Sequence, residues 1–451
     1  MNHYKNDIII VGGGFTALSI LFNIKDNLTF KKNNVSITVI NYSSEKIGRG
    51  NYIKNKFGNY YLNSDLNSVN LSIKNDIYNI YNWLSNSNKH EILDNTYLSR
   101  KSYGDYLEYC FSNLYEEFNF FKKIKLFIVK DKIININYKE NLFILESDKN
   151  NYISNKVVLA TGIGYSESLF HLNIDYSKLN QKKILVVGSS LSFLDVLRNL
   201  NNNNNVFFCS KDKLFPKIRS LKKYNFNFFI EELKNNEIIT YDIINEIFKK
   251  YFLVGIIEYF KKNSNYCFSL ESLMKDFNNN DIFSNLLCSS NDSIDFLWSK
   301  FDFKLKRLII RYYHYFSSFR NPMSNSAAEI LIDAISNNKI TYINDELKFV
   351  IDNVAHFKSC EKLNFDEILY TKGFSNISER DLYKNLLNNG LIRLNEFKLG
   401  VDINELFESK LCKNLFCIGN STFGNFLHVN SVDILKRHTL KLSKNLISNY
   451  E

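Results

Sequence analysis

The chain has 451 residues, 57 Lys+Arg against 47 Asp+Glu for a formal net charge of +10, and 45% hydrophobic residues. That length accommodates two or three domains and that apolar content an ordinary packed core, while the basic residues are spread without a dense cluster or a reading module, which argues against nucleic acid as a partner. The longest mid-chain apolar stretch, Tyr251 to Ile257, is far shorter than the roughly 20 residues a membrane span needs; seven cysteines, at positions 110, 209, 267, 288, 360, 412 and 417, form no Cys-x-x-Cys pair and signal neither a zinc site nor a redox dithiol.

The first hydrophobic run, Ile8-Ile9-Ile10-Val11, enters GGGFTA (Gly12 to Ala17) and an apolar helical stretch, Leu18 to Ile24, before a second strand over Val35 to Ile40. This predicts the opening βαβ unit of a dinucleotide-binding domain. Gly12 permits the tight turn, Gly14 lets the backbone approach a pyrophosphate, and Ala17 lets helix and strand pack closely. Gly13, Phe15 and Thr16 complete a loop whose helix N-terminus offers N–H groups and a positive dipole end. A glycine turn in an unrelated α/β protein is the competing reading. The second strand ends at Asn41, where an acid usually accepts hydrogen bonds from the adenosine ribose. The Asn41 carbonyl oxygen accepts one such bond, and drift in an asparagine-rich chain explains the residue nearly as well. Because the first hydrophobics are already this strand, the chain is expected to lack a secretory leader.

A second signal runs from Lys183-Ile184-Leu185-Val186-Val187 into GSSLSFLD, Gly188 to Asp195. The turn-forming glycine, Gly188, is kept and Ser189 follows it. Ser190 stands where a phosphate should approach, and Phe193 occupies the third small position, so both are expected to add bulk near a pyrophosphate. The partner strand, Val206 to Cys209, ends in Ser210-Lys211. Lysine there suits the 2′-phosphate of NADPH, with possible help from Lys213 and against Asp212; a purely structural second unit is equally open. The two prolines are Pro216, after this strand pair, and Pro322, each at a place where a fixed φ suits a turn. From Lys217 to about Arg320 runs a long insert. Ile243, Ile244, Ile247, Phe248 and Tyr251 fall on one helical face within it, followed by an aromatic-rich cluster of Phe296, Leu297, Trp298, Phe301 and Phe303. Both read first as the core of a helical subdomain and second as pocket lining at a domain junction.

Further pieces complete the pattern: KIGRGNY (Lys46 to Tyr52), YYLNSD (Tyr60 to Asp65), YLSRKSYGDYL (Tyr97 to Leu107), VVLATG (Val157 to Gly162), SFRNPMS (Ser318 to Ser324) and LFCIGNSTFGNF (Leu415 to Phe426). In this order and spacing the chain resembles the FAD/NAD(P)-binding flavoprotein family related to two-dinucleotide-domain flavin monooxygenases, which includes FAD-dependent urate hydroxylase-like proteins. The resemblance implies an α/β fold with two Rossmann-like dinucleotide-binding domains, the second inserted in the first and carrying a helical insert. Residues 1–178 plus 365–451 are then the discontinuous FAD-binding domain. Residues 179–364 are a degenerate NAD(P)-binding-like domain with its insert at about 217–320. Cofactor contacts are implied for the glycine loop, for Asn41 and Arg49, for Leu62 and Asn63, for Thr161 and Gly162 where the chain leaves the FAD domain, and for Gly419 and Asn420 near the ribityl chain. In the second domain they are implied for Gly188, Ser189, Ser190 and Lys211. Departures are Asn41 for the acid, Ser190 for the second glycine, and His428 where relatives often carry glutamate.

The same resemblance implies a cytoplasmic oxidoreductase in which NAD(P)H reduces FAD and O2 is used to hydroxylate a small organic molecule, the flavin carrying the hard chemistry. No metal is called for. Arg49 is a candidate to neutralise a flavin or substrate anion, with a phosphate or a structural carboxylate as alternative partner. Asn63 is a candidate hydrogen-bond partner of flavin or substrate. His428 is a candidate proton donor, its unperturbed pKa being about 6.5, although a histidine in such a segment is as readily structural. A flavin reductase or dehydrogenase without oxygen insertion, and a silent FAD-binding partner protein, are the competing readings.

Overall fold

Ile8, Ile9 and Ile10 are fully buried because their strand lies in the middle of a parallel sheet covered on both faces, where a continuous apolar run replaces in-out alternation. The computed structural model describes residues 4–28, 35–42, 46–50, 59–87, 97–163, 174–211, 214–220, 225–263, 270–278, 281–371 and 376–448. It divides into two units. The first comprises Met1–Asn55, Ser64–Tyr165 and Phe374–Glu451, the second Lys56–Asn63 and Ser166–Gly373.

Unit 1 opens with β1 (Tyr4–Val11), α1 (Phe15–Leu28) and β2 (Val35–Ile40). β1 and β2 pair in parallel, Ile8 opposite Ile37 and Val11 opposite Ile40. Short helices α2 (Leu66–Val69) and α3 (Ile80–Asn86) precede α4 (Arg100–Phe121). Ser99 caps α4 by accepting from Ser102 N–H, Lys122 ends it in the left-handed region at φ 53°, and its buried stripe runs Tyr103, Leu107, Cys110, Leu114, Phe118 at helical spacing. β3 (Ile124–Val129) then adds to β2 in parallel. An antiparallel meander follows, β4 (Ile133–Lys139), β5 (Leu142–Ser147) and β6 (Asn151–Leu159). The nine-residue β6 is the hinge of the design. Its first half pairs β5 antiparallel while its whole length runs parallel to β1.

Unit 2 contains β7 (Lys183–Val187), α5 (Leu191–Asn199) and β8 (Asn205–Cys209), then a helical insert of α6 (Asn227–Lys234), α7 (Tyr241–Phe252), α8 (Ile256–Asn263), α9 (Leu270–Asn278), α10 (Ile282–Ser289), α11 (Ile294–Lys300), α12 (Phe303–Arg311) and α13 (Tyr313–Arg320). It continues through α14 (Asn325–Ser336), β9 (Ile340–Tyr342), β10 (Leu347–Ile351), β11 (Val354–Phe357), β12 (Lys362–Asn364) and β13 (Glu367–Tyr370). The strand order β13-β7-β8-β9 is parallel throughout. Period-two alternation sorts β7 between two cores: Ile184 and Val186 pack with Phe193, Val196, Ala328 and Leu331 of α5 and α14, whereas Leu185 and Val187 pack with Ala355 and Phe357 of the small antiparallel β10-β11-β12 sheet. The expected apolar face of α7 is there. Ile247 and Phe248 are buried and Ile243, Ile244 and Tyr251 pack beside them, with Leu297 and Phe301, in a core belonging to the insert itself. Trp298 is also buried, but Phe296 and Phe303 are exposed.

The chain then returns to unit 1 with α15 (Asp381–Asn388), β14 (Leu415–Cys417) and α16 (Val432–Ile447). β14 takes the half of β6 that β5 leaves, Leu415 opposite Val157 and Cys417 opposite Leu159, so the parallel order is β3-β2-β1-β6-β14. α16 lies along α1, where Ser19 Oγ and Thr439 Oγ1 are 2.7 Å apart. No described helix is long and apolar enough to cross a membrane.

Candidate functional site: two glycine turns and a clamped strand edge

The first glycine turn sits at the carboxyl end of β1, the edge at which open α/β sheets bind ligands. Gly12 has φ 117°, and a Cβ there would lie 2.3 Å from the Ala160 carbonyl oxygen of the neighbouring strand end. At Gly13 a Cβ would come within 2.5 Å of the Asn41 side chain. Packing within the chain therefore demands both glycines. Gly14 differs: its φ is not in the left-handed region, and its added Cβ would meet only Gly50 Cα, at an ordinary 3.6 Å. Among the described residues no contact explains a glycine at this position. Phe15 and Thr16 are half-buried at the start of α1, whose first turn holds no acidic residue, and Ala17 is fully buried against the sheet. Asn41 thus has a role that the missing acid did not announce, its side chain filling the space over Gly13.

The GRG segment lies against this loop. Gly48 N–H donates to the Gly13 carbonyl at 2.8 Å, and Gly14 bridges to Gly48 and Arg49. The Arg49 guanidinium turns to α4, 2.5 Å from Asp105 and 3.2 Å from Glu108, and Lys46 also pairs with Glu108. Arg49 thus has the structural carboxylate partners foreseen for it. Asn51 and Tyr52 of the same motif lie outside the described residues.

Thr161 and Gly162 follow β6, and Gly419 and Asn420 follow β14. Because β6 and β14 are neighbouring parallel strands, the two pairs leave the sheet side by side. Gly162 has φ 62°, with nothing among the described residues within 4 Å of an added Cβ, and Gly419 has φ 76°. Two residues that no motif flagged join them. Arg380 donates to the Gly162 carbonyl at 3.0 Å and to Asn420 Oδ1 at 2.7 Å. Tyr383 OH is 2.8 Å from Thr161 Oγ1. Burial pushes the Tyr383 phenol up to about 12, so Tyr383 is neutral at neutral pH, and burial also holds the Arg380 guanidinium below its ordinary value. His428 is buried at 5% exposure between the buried Leu427 and Val429.

The second glycine turn keeps the first one's backbone logic. Gly188 has φ 121°, and a Cβ there would lie 2.4 Å from Thr371 Oγ1 at the end of β13. Ser189 Oγ donates to the Leu214 carbonyl at 2.7 Å and lies 2.8 Å from Ser210 Oγ, which ties the turn to the end of β8. Ser190 is exposed at the cap of α5 and makes no side-chain capping bond. Phe193 is not at the mouth of the turn, contrary to expectation. Its ring is fully buried, with centroids 4.9 Å from Phe208 and 6.1 Å from Phe215, because the third position of such a turn faces the sheet. Lys211 is exposed just past β8; Asp212 and Lys213 lie outside the described residues. Leu62 and Asn63 belong to this unit. Asn63 Nδ2 donates to the Pro322 carbonyl at 2.9 Å, and Arg219 donates to the Asn63 carbonyl at 2.6 Å, which joins the YYLNSD and SFRNPMS segments. Among the described residues no group of three or more His, Cys, Asp or Glu is placed to hold a metal ion, and Cys267 lies outside them.

Comparison with known proteins agrees with this geometry. Residues 9–164 match the model of the FAD-NAD(P)-binding family. No curated protein matches the sequence. Among solved structures, the fold is similar to that of the Kutzneria sp. 744 ornithine N-hydroxylase, in a complex described with reduced FAD, NADP+ and L-ornithine, at TM-score 0.63 and 10% identity over 99% of this chain and 100% of that one. It is similar to L-lysine 6-monooxygenase from Pseudomonas syringae at TM-score 0.61, with 11% identity and the same coverage. It is also similar to the bacillithiol disulfide reductase of Staphylococcus aureus at TM-score 0.52, with 12% identity over 99% and 100%. The chain therefore has the fold of the two-dinucleotide-domain flavoproteins.

Proposed function

We propose that the chain is an FAD-dependent, NAD(P)H-consuming monooxygenase that hydroxylates a small organic substrate, the unit holding Gly12–Ala17 binding FAD and the unit holding Gly188–Ser190 receiving the nicotinamide nucleotide. The observation that carries the reading is Gly14. A glycine that no contact among the described residues requires, at the N-terminus of a helix with no acid in its first turn, fits a backbone kept bare for a pyrophosphate. Bound FAD would supply the electron transfer and oxygen chemistry. The net reaction balances as NAD(P)H, a proton, O2 and RH giving NAD(P)+, water and ROH.

The chain's own residues bind and orient. Gly12 to Gly14 and the first N–H groups of α1 hold the phosphates, and buried Ala17 keeps α1 close to the sheet. Thr161, Gly162, Gly419 and Asn420 line the strand edge beyond. Arg49 sustains the loop through its carboxylate pairs. His428, in the segment that follows Gly419 and Asn420, is the candidate proton donor. The likeness to the ornithine and lysine enzymes supports primary amines as the first substrates to try; the proposed site of action is the cytoplasm. A reductase without oxygen insertion is the second reading, motivated by the shared fold of the bacillithiol disulfide reductase.

The test is incubation of the FAD-loaded protein with NADPH, O2 and a panel of diamines and diamino acids. Hydroxylated product in step with NADPH consumption supports the monooxygenase. NADPH consumed with peroxide alone across the panel supports the reductase.

A further inference from the structure

Helix α12 turns opposite chemistries to its two sides. The inner side is core: Leu305 is buried and Ile309 packs beside it in the cluster that holds Ile239, Phe248 and Leu297. The nine residues of the helix, FKLKRLIIR, include four cations and no acid. Along the sequence apolar residues interrupt those cations, but at 3.6 residues per turn Lys304, Arg307 and Arg311 fall on one exposed face. Leu308 on the same side, with Tyr312 and Tyr315 where α13 begins, is exposed beside them. We propose that this face docks on a membrane surface rich in anionic lipid headgroups.

The charge of the face is not answered from within the chain. Among the described residues no carboxylate pairs with Lys304, Arg307 or Arg311. The one acid between Lys300 and Phe319 is Asp302, and its carboxylate is spent as the cap of α12, accepting from Leu305 N–H at 2.7 Å. The Arg311 guanidinium lies over the Tyr312 ring, 5.6 Å from its centroid, a contact that holds a cation without neutralising it. The helix is also fixed before any partner arrives. Ile239 N–H donates to the Lys300 carbonyl at 2.8 Å and Asp302 N–H to the Ile239 carbonyl at 2.9 Å, so docking need not order the segment. Cations interleaved with exposed leucine and tyrosine are the mixture that an anionic headgroup layer accepts. Its phosphates and carboxylates meet the charges, and leucine and the aromatic rings enter the boundary with the acyl chains. Such a layer needs no shaped groove, and the contact needs no spanning segment. Each basic residue at an anionic surface strengthens partitioning roughly fivefold, and three together about a hundredfold.

The experiment sediments the full chain with vesicles of phosphatidylcholine alone and with vesicles that also contain about one third phosphatidylserine. Wild type should bind the anionic vesicles, leave the neutral ones, and be released at about 1 M salt, where the screening length falls to about 3 Å. Lys304→Gln/Arg307→Gln/Arg311→Gln should lower partitioning about a hundredfold, and each single change about fivefold. These side chains are exposed, so the variants should melt with the wild type; if the triple variant does not fold, the single ones carry the test. Lys139→Gln/Lys149→Gln/Lys441→Gln, which removes the same charge from exposed positions elsewhere, should bind as wild type does. Wild type that stays in the supernatant with anionic vesicles, equal binding to neutral vesicles, or an equal loss in the control variant would overturn the proposal. So would a protein that ignores both vesicles yet binds soluble polyglutamate through Lys304, Arg307 and Arg311, a result that would assign the face to an acidic polypeptide.

Discussion

Gly14→Ala separates a ligand-imposed glycine from a packing-imposed one. In the free protein the new methyl would meet Gly50 Cα at 3.6 Å, an ordinary van der Waals distance, with no left-handed φ to strain it. A Gly→Ala change at a compatible backbone position stabilises by about 0.4–1 kcal/mol through the unfolded chain, so the apoprotein should melt at or slightly above the wild-type temperature. Against a bound pyrophosphate the same methyl occupies the approach path of the backbone. Losing one hydrogen bond to a charged group, about 1.5–3 kcal/mol, corresponds to roughly ten- to 150-fold weaker FAD binding. Flavin fluorescence titration of apoprotein and a melting curve read both quantities on one sample. Gly12→Ala is the contrast: at φ 117° and 2.3 Å from the Ala160 oxygen it should lower the melting temperature outright. A folded Gly14→Ala protein with wild-type FAD affinity would refute the reasoning, and so would a Gly14→Ala protein that fails to fold.

Ser190→Gly should lower the apparent KM for NADPH, since Ser190 is exposed at the cap of α5 with no capping bond to lose; an unchanged KM and reduction rate would mean that hydride arrives elsewhere. Lys211→Ala should raise KM for NADPH and leave NADH nearly unchanged, and equal losses with both would show that the lysine serves the fold or the shared pyrophosphate. A pH test addresses Lys217, buried 3.7 Å from Asp276 and pushed by burial down to about 8 from 10.5. The unfolded chain then binds more protons than the folded one between those values, so this group's contribution to stability rises with pH through that window, by about 1.4 kcal/mol per unit of separation. Urea unfolding at pH 7.5 and 10 should show a smaller gain, or a larger loss, for Lys217→Met than for wild type. Parallel behaviour of the two proteins would contradict the buried charge.

What the sequence disclosed was what short-range physics encodes. Ile8 to Ala17 reads as strand, turn and helix because its apolar run, glycines and helical spacing are all local, and the same holds for Lys183 to Asp195 and for the face of α7. The geometry behind Gly14 was legible too, but its distinction from Gly12 and Gly13 needed the distances to Ala160, Asn41 and Gly50. Asn41, read as a weakened ribose contact, also packs its side chain against Gly13, which no local pattern discloses. Phe193 looked like an obstacle to phosphate and proves to be core, because which side of α5 faces the sheet is a tertiary fact. Arg380 and Tyr383 were invisible. They touch Gly162, Asn420 and Thr161 over sequence separations of 218, 40 and 222 residues, and no local pattern marks such contacts. The placement of Tyr60 and Asn63 in the second unit, with Tyr176, Arg219 and Pro322 around them, is likewise set by contacts far along the chain.

The measurement that bears most directly on the central claim is the visible absorption spectrum of the purified protein, reconstituted with FAD and then titrated with NADPH under anaerobic conditions. The account predicts an oxidised-flavin spectrum at one FAD per chain, bleached by NADPH and restored on admitting oxygen. A folded protein that stays colourless after incubation with FAD, or a bound flavin that neither NADPH nor NADH bleaches, would contradict it.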